Sequence, residues 1–322
     1  MIHIKSNVKG FVNVELEVPY ALLMGRNGSG KSAIVHSAEL ACFGALYDAA
    51  GRDVKSKALV QHIAAPKELL FASVEFLDGS SRLWPNNFTD MRNPLFEAME
   101  VMAGSTHKLM EYILRHADED IEVELSFPYW ARTVTLHGSY RQALLAMYTD
   151  CSGSLRKHQA TLREVRIAQK YVQTPELDDT AEQSEAAIEQ SKKLLTEIKE
   201  RMVEMVQGLI PAIEARMLRY TPEEMPSARF TWIGKELRLG FADKPVPSGA
   251  ETVALGVALA AAVDHDHEHH VWILPDRAYD AKTLGNIMRV LRNILARMVL
   301  VQSTVLPEGY DHSAMGWETV EV

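Results

Sequence analysis

The N-terminal part of the chain alternates apolar and polar positions in the manner of β-strands. Apolar residues occupy every second position of Val12–Val18, and Met1–Ile4 shows the same alternation. Tyr20–Met24 is continuously apolar, which predicts a short buried strand. A glycine-rich turn follows it, and residues 32–46 then predict a helix.

The same mixture of strands and helices continues to about residue 151. The segments 69–76 and 81–84 flank Asp78-Gly79, a turn signal that predicts a β-hairpin. The other elements predicted here are a helix and two strands, at 94–117, 121–127 and 131–136.

The composition changes between about Ser152 and Tyr220, where glycine nearly disappears and charged residues become frequent. Apolar residues there are spaced as in the a/d seam of a heptad repeat, at Ile188, Leu195, Ile198, Met202, Met205 and Leu209. A turn at 174–179 divides the region, with a helix N-cap expected at Asp178, Asp179 or Thr180. The pattern predicts two antiparallel helices, either as an arm roughly 30 Å long or packed on the body.

Strands and helices alternate again after this region. The predicted elements are a hairpin (229–233 and 236–241), a helix (250–263), a strand (270–274), a helix (282–297), a strand (298–302) and an edge strand (317–322). The predicted fold class is therefore α/β, with an antiparallel helical (coiled-coil) hairpin inserted midway.

Composition restricts the class of protein. The chain has 322 residues, of which 47% are hydrophobic, so it can bury a large core. Its net charge of −9 argues against a protein that coats nucleic acid, and any DNA contact needs a local basic patch. Two cysteines, no signal-peptide pattern and no apolar run longer than Val253–Val263 predict a cytoplasmic protein without a membrane span.

The strongest motif is G-x-x-x-x-G-K-[ST] at residues 25–32, between a predicted strand and a predicted helix. Its glycines allow backbone N–H groups to surround phosphate oxygens, and the helix N-terminus adds partial positive charge. Lys31 is expected to reach the β- and γ-phosphates, and the Ser32 hydroxyl to bind Mg²⁺. The predicted nucleotide-binding residues are Gly25, Arg26, Asn27, Gly28, Ser29, Gly30, Lys31, Ser32 and Ala33.

A second candidate motif, Ser248-Gly249-Ala250-Glu251, opens a helix rich in small residues. An ordinary helix cap explains it equally well when it is taken alone. In order along the chain, however, the two motifs on either side of the helical hairpin resemble the ABC-type ATPase heads of the SMC, Rad50 and RecF group. The signature loop of that family reads Leu-Ser-Gly-Gly-Glu or Gln, and here Pro247 and Ala250 depart from it.

The resemblance implies a compact, RecF-like ATPase head made of residues 1–151 and 221–322, with residues 152–220 as its arm. Such heads form homodimers around two ATP molecules, with Mg²⁺. Ser248, with Gly249 and Glu251, would then face the γ-phosphate bound at Lys31 of the partner subunit. The implied role is in DNA recombination, repair or replication, with DNA and a nuclease as partners. The hairpin lacks a Cys-x-x-Cys tip, which excludes a Rad50-like zinc hook.

The strand 271–274 and the Pro275-Asp276 that follow it resemble the family's acidic strand end. In one register Asp276 binds Mg²⁺ and Arg277 replaces the general base; in the other, Asp276 is the base. Either way one carboxylate is missing, which predicts slow ATP hydrolysis unless the base comes from elsewhere. Asp280 is a candidate in the following loop, which in the family crosses to the partner subunit. The predicted catalytic residues are Asp276 and Lys31, and the predicted metal ligands are Ser32 and Asp276.

Several weaker features remain. Gln302 or Ser303 takes the place of the family's switch histidine, and Gln142 is a candidate for its Mg²⁺-sensing glutamine, although a solvated helix position explains Gln142 better. The His- and Asp-rich segment 264–270 has metal-ligating side chains, but a solvated loop explains it better. Basic residues after the first helix are equally compatible with solvent or with nucleotide or DNA; they are Arg52, Lys55 and Lys57.

Two other functions stay open from the sequence. The missing carboxylate is compatible with a hydrolysis-poor ATP switch or scaffold that recruits a protein partner. A P-loop kinase or GTPase with a helical insertion shares the first motif, but it leaves Ser248–Glu251 without a role.

Overall fold

The structure is a computed structural model that describes residues 1–47, 69–85, 93–116, 140–222, 225–242, 247–263, 269–275 and 277–322. The predicted strands at 121–127 and 131–136, the basic residues Arg52, Lys55 and Lys57, most of the His-rich segment (264–268) and Asp276 lie outside the described residues. The chain divides into two compact units, one of Met1–Leu109 with Ala212–Val322 and one of Met110–Pro211.

The elements are numbered in chain order. The strands are β1 (Ile2–Ser6), β2 (Val12–Leu16), β3 (Tyr20–Met24), β4 (Ala72–Glu75), β5 (Ser81–Trp84), β6 (Ala228–Ile233), β7 (Glu236–Phe241), β8 (Val271–Ile273), β9 (Met298–Ser303) and β10 (Glu318–Glu321). The helices are α1 (Lys31–Phe43), α2 (Pro94–Ala103), α3 (Thr106–His116), α4 (Tyr140–Ala168), α5 (Pro175–Met217), α6 (Gly249–Val263) and α7 (Ala281–Arg292), with a 3₁₀ turn at Leu218–Tyr220. The fold is mixed α/β.

The central element of the first unit is a four-stranded parallel sheet in the order β10-β3-β9-β8. Every residue of β8 and β9 is buried, as expected where both faces of a parallel sheet are covered. β10 alternates between partly buried and exposed residues and lies at the edge, as the sequence predicts. Parallel pairing places the C-terminal ends of β3, β8 and β9 along one edge of the sheet.

A second sheet, in the order β2-β1-β4-β5, is antiparallel throughout. The predicted turn at Asp78-Gly79 joins β4 to β5, and Gly79 has a φ of 77°, which is unfavourable for residues with a side chain. Helix α1 contacts strands of both sheets. One hydrophobic core is therefore built from residues of the parallel sheet, the antiparallel sheet and α1. In this core the Ser6 and Ser37 hydroxyls form a hydrogen bond of 2.5 Å, which satisfies two buried polar groups.

Helix α6 is buried along nearly its whole length and packs against α2. The small residues of α6 explain how closely the two helices approach. A Cβ on Gly256 would lie 2.9 Å from Leu95 Cδ1 and 3.0 Å from Met99 Cγ. The small side chains therefore serve helix packing, and the Ser248–Glu251 motif lies at the start of this packed helix.

Helices α4 and α5 run antiparallel within the second unit. Arg166 Nη2 lies 2.7 Å from Glu185 Oε1, Gln169 Nε2 donates to Asp178 Oδ1 at 2.7 Å, and the Cys151 thiol donates to the Ser191 carbonyl at 3.4 Å. All six apolar residues of the predicted seam on α5 are buried. α4 begins at Tyr140, ahead of the composition change at Ser152.

Several predicted helix boundaries differ from the structure. The N-cap predicted at Asp178, Asp179 or Thr180 is wrong, because α5 begins at Pro175 and the Thr174 hydroxyl accepts a hydrogen bond from the Leu177 N–H. The predicted helix over 94–117 is interrupted at Gly104, where a Cβ would lie 3.2 Å from the Glu100 carbonyl oxygen. The last helix ends at Arg292 instead of residue 297.

Within the described segments, every helix is too short or too polar to cross a membrane.

Candidate functional site

The glycine-rich loop joins the end of β3 to the start of α1. Gly28 and Gly30 have φ angles of 85° and 116°, so both adopt conformations that residues with a Cβ rarely adopt. Gly30 is the N-cap of α1, and no side chain caps the helix. The N-terminus of α1, with its partial positive charge, is therefore available to an anion.

Gly25 is required for a different reason, which is close packing. A Cβ at this position would lie 2.5 Å from Ser29 Oγ and 2.5 Å from the carbonyl oxygen of Val322. The Val322 N–H donates to the Met24 carbonyl at 2.8 Å, so the chain after β10 runs directly beside the loop. No motif in the sequence indicates this support, because it depends on the parallel pairing of β10 with β3.

Lys31 lies at the base of the loop and is only 7% exposed. Its ammonium donates to the carbonyl oxygens of Gly25 at 2.6 Å and Arg26 at 3.0 Å. These acceptors are neutral, and no carboxylate in the described segments forms an ion pair with this ammonium. A phosphate group would offer the ammonium a stronger, charge-assisted hydrogen bond.

A cleft of about 680 Å³ opens over the loop at the C-terminal edge of the parallel sheet. Its walls come from the loop and the start of α1, from the segment after β8 and from the end of β9. The residues that line it are Lys9, Asn27, Gly28, Ser29, Gly30, Lys31, Ser32, Ala33, Arg277, Ala278, Tyr279, Gln302, Ser303 and Thr304. Among these lining residues are three cations and no carboxylate, which favours an anionic ligand.

The two residues predicted for the switch-histidine position differ in their bonding. Ser303 Oγ donates to the Val305 carbonyl at 2.8 Å and accepts from the Val305 N–H at 3.1 Å. Gln302 is 3% exposed, and its Oε1 has no hydrogen-bond partner within the part of the chain that the structure describes. Gln302 therefore has a buried polar atom at the cleft wall that a bound ligand or water can satisfy.

The segment after β8 is held at both ends. The buried Tyr279 hydroxyl donates to the Pro275 carbonyl at 3.1 Å, and Asp280 caps α7 by accepting from the Thr283 N–H at 2.9 Å. Hydrogen bonds from Thr283 lower the pKa of Asp280 below its ordinary value. Asp280 does not line the cleft of its own chain, and its carboxylate caps α7.

The Ser248–Glu251 motif makes one half of a capping box at the start of α6. The Glu251 carboxylate accepts from the Ser248 N–H at 2.5 Å, and the Thr252 N–H donates to the Ser248 carbonyl at 2.8 Å. Ser248 is exposed, and Ser248, Gly249 and Glu251 are not among the residues that line the cleft. The link between the motif and the cleft is Arg277, whose Nη1 donates to the Gly249 carbonyl at 2.8 Å.

The remaining predicted positions lie elsewhere. Asp276 and 264–268 are outside the described residues, and Gln142 lies on α4 in the unit Met110–Pro211. No group of three or more His, Cys, Asp or Glu with the geometry of a metal site occurs in the described ranges. The metal ligand predicted in the loop, Ser32, does line the cleft.

No protein-family model and no curated protein sequence matches the chain. Its structure is similar to that of an Smc head domain from Pyrococcus furiosus, with an extended coiled coil and bound to the C-terminal domain of ScpA, at 15% identity and a TM-score of 0.39. That similarity covers 95% of this chain and 90% of the other. It is also similar to RecF bound to ATP, at 10% identity and a TM-score of 0.44, covering 94% of this chain and 91% of RecF. Similarities at this level do not assign the chain to a family.

The Asp280 cap gives a prediction for stability and its pH dependence. Asp280→Ala should lower the free energy of unfolding by about 1 kcal/mol at pH 7, because the first turn of α7 loses its cap. The folded-state pKa of Asp280 lies below the ordinary value of 3.8, so the carboxylate contributes fully above that value. Its contribution is lost as the pH falls through the folded-state pKa.

Urea unfolding of the wild type and of Asp280→Ala between pH 7 and about pH 3 measures this difference. Asp280→Asn is the control, since asparagine caps helices about as well as aspartate but does not titrate. A gap between wild type and Asp280→Ala that is equally large at both ends of the pH range would show that the charge makes no contribution.

Proposed function

We propose that the chain binds ATP with Mg²⁺ in the cleft over the glycine-rich loop. The observation that carries this proposal is the position of Lys31, a buried cation whose described partners are two carbonyl oxygens of its own loop. The uncapped N-terminus of α1 and the positive φ angles of Gly28 and Gly30 are the further features that phosphate binding requires. The two cations on the other walls, Lys9 and Arg277, add to the attraction of a polyphosphate.

In this proposal Lys31 binds the β- and γ-phosphates and Ser32 supplies a hydroxyl ligand to Mg²⁺. Residues 25–33 surround the phosphates, and Asp276 acts as the second metal ligand or as the general base. The metal ion would neutralise phosphate charge during transfer of the γ-phosphoryl group. Gln302, with its unsatisfied Oε1, is the better candidate than Ser303 for binding the attacking water.

We further propose a dimeric mechanism of the SMC, Rad50 and RecF type. Ser248 is exposed and does not line the cleft of its own chain, which supports a contact with nucleotide bound by a second subunit. Residues 1–151 and 221–322 would form the ATPase head, and residues 152–220 the helical arm. The proposed role is ATP-controlled action on DNA in recombination, repair or replication, with a nuclease as a candidate partner.

A hydrolysis-poor switch or scaffold is the second candidate function. Arg277, a cation, lines the cleft directly after the acidic strand end, and Asp280 is occupied as a helix cap. Both observations favour slow turnover, because hydrolysis of ATP needs a group that activates water. Turnover above background that is lost in Asp276→Asn would favour the ATPase over the switch.

Removal of the loop lysine tests nucleotide binding. Lys31→Ala should weaken binding of ATP–Mg²⁺ on the order of 100-fold, because about two charge-assisted hydrogen bonds to phosphate are lost. Lys199→Ala, an exposed lysine on α5, is the matched control and should leave the affinity unchanged. Isothermal titration calorimetry measures both, and equal affinities for Lys31→Ala and the wild type would refute the proposed site.

Mixed subunits test the dimeric mechanism. With ATP–Mg²⁺, the wild type should sediment as a dimer, whereas Ser248→Arg and Lys31→Ala should each remain monomeric. A mixture of the two variants should recover dimers, because pairing one with the other leaves one composite site intact. Ser154→Arg, exposed on α4, is the control for an added arginine. A wild type that stays monomeric at saturating ATP contradicts the mechanism.

A further inference from the structure

A row of cations follows the solvent-exposed side of helix α4. Arg156, Arg163 and Lys170 are all exposed, and each is seven residues from the next. Seven residues are close to two turns of an α-helix, so the three lie on one face, roughly 10 Å apart and about 21 Å from first to last. We call these three residues the basic stripe, which lies within the unit Met110–Pro211.

The backbone stays coiled as far as the last cation, although α4 itself ends at Ala168. The Gln169 N–H donates to the Val165 carbonyl at 2.8 Å, and the Lys170 N–H donates to the Ile167 carbonyl at 3.2 Å. Lys170 therefore continues the row that the two arginines begin.

The face that carries the basic stripe is free of negative charge. The carboxylates between residues 149 and 171 are those of Asp150 and Glu164, which lie roughly 120° and 80° around the helix axis from Arg156. The other exposed positions on this face are uncharged, and most are small or polar. They are Gly153, Gln159, Ala160 and Ile167.

Pairing with α5 does not neutralise the basic stripe. Carboxylates outnumber cations on α5, but the described ion pair between the two helices joins Glu185 to Arg166, at 2.7 Å, and Arg166 is outside the stripe. Arg156 Nε donates to a neutral acceptor, the Ser152 carbonyl, at 3.3 Å. Across the described ranges, no residue of the stripe forms an ion pair with a carboxylate. A chain with a net charge of −9 thus carries an uncompensated positive row on its arm.

We propose that the basic stripe binds the phosphate backbone of double-stranded DNA. This inference rests on the proposed role in DNA transactions and not on the ATP site, because the stripe shares no residue with the cleft. A length of about 21 Å corresponds to roughly six base pairs, at 3.4 Å per phosphate along each strand. Contacts of this kind position a protein on DNA without reading its sequence, so binding should be independent of base composition.

The side chains around the stripe favour duplex DNA over other polyanions. A membrane needs a continuous apolar helix face, and a protein interface needs a core of apolar or aromatic anchors. Between Arg156 and Lys170 the one exposed large apolar side chain is Ile167. Single strands are bound through bases stacked on aromatic rings, and no Phe, Tyr or Trp lies in this interval.

Binding of a fluorescent duplex longer than the stripe, measured by anisotropy without nucleotide, tests the proposal. The variant Arg156→Gln/Arg163→Gln/Lys170→Gln should bind on the order of 100-fold more weakly at about 50 mM salt, because three fewer phosphates are neutralised. For the same reason, the slope of log K against log salt concentration should become shallower by about 2 to 3.

Two further variants serve as controls. Lys192→Gln/Lys193→Gln/Lys199→Gln removes three exposed cations from α5 and should leave duplex affinity almost unchanged. Arg156→Lys/Arg163→Lys should keep the affinity and the salt slope of the wild type, since contact with a phosphate backbone needs the charge and not the planar fork. All of these variants should bind ATP–Mg²⁺ as the wild type does.

Equal duplex affinities and equal salt slopes for the triple stripe variant and the wild type would overturn the inference and leave the DNA role in place. A loss confined to single-stranded DNA, or to vesicles that contain phosphatidylserine, would also overturn it, because the stripe would then serve another polyanion. A wild type that binds no duplex at low salt would overturn the proposed DNA role together with the stripe.

Discussion

The buried ammonium of Lys31 is the constraint on which the candidate site depends. Burial of a cation is unfavourable unless charges or strong dipoles surround it. The described structure supplies two carbonyl oxygens of the same loop, at 2.6 and 3.0 Å. These bonds hold the side chain in place without neutralising it. The loop is therefore folded in a state that an anion, above all a polyphosphate, would stabilise further.

The parallel sheet brings the other components to this ammonium. β3 leads into the glycine-rich loop, β9 ends at Gln302 and Ser303, and β8 leads to Arg277. Since all three strands run in the same direction, the residues after them meet at one edge. The outer strand β10 carries the chain to Val322, beside Gly25. The net charge of the whole chain is −9, whereas the described lining of the cleft is positive.

Local patterns in the sequence predicted much of the fold. Tyr20–Met24 and Ser81–Trp84 were predicted as strands and are strands with the same bounds, because continuous apolar runs and turn signals act over a few residues. The start of α5 was not predicted correctly, since Thr174 and Pro175 together start the helix before the acidic residues that the N-cap rule favoured. In each of these cases the outcome was decided by residues that lie within a few positions of one another in the sequence.

The sequence predicted the residues of the site only where they belong to one continuous motif. Residues 25–32 were identified from their spacing, and residues 27–32 of this motif line one cleft. The contact between Arg277 and Gly249, and the support of Gly25 by Val322, join residues far apart in sequence, and no local pattern indicates them. The choice between Gln302 and Ser303 likewise depended on a backbone contact, the bond from Ser303 to Val305. Such contacts follow from strand order and side-chain reach, which one sequence alone does not specify.

The most direct test of the central claim is an experimental structure of the chain with Mg²⁺ and a non-hydrolysable ATP analogue. The account predicts that the phosphates lie against the N–H groups of residues 28–32 and that Lys31 Nζ has left the Gly25 and Arg26 carbonyls for β- and γ-phosphate oxygens. A structure in which the analogue is bound elsewhere, or in which Lys31 keeps both carbonyl bonds at saturating analogue, would contradict it.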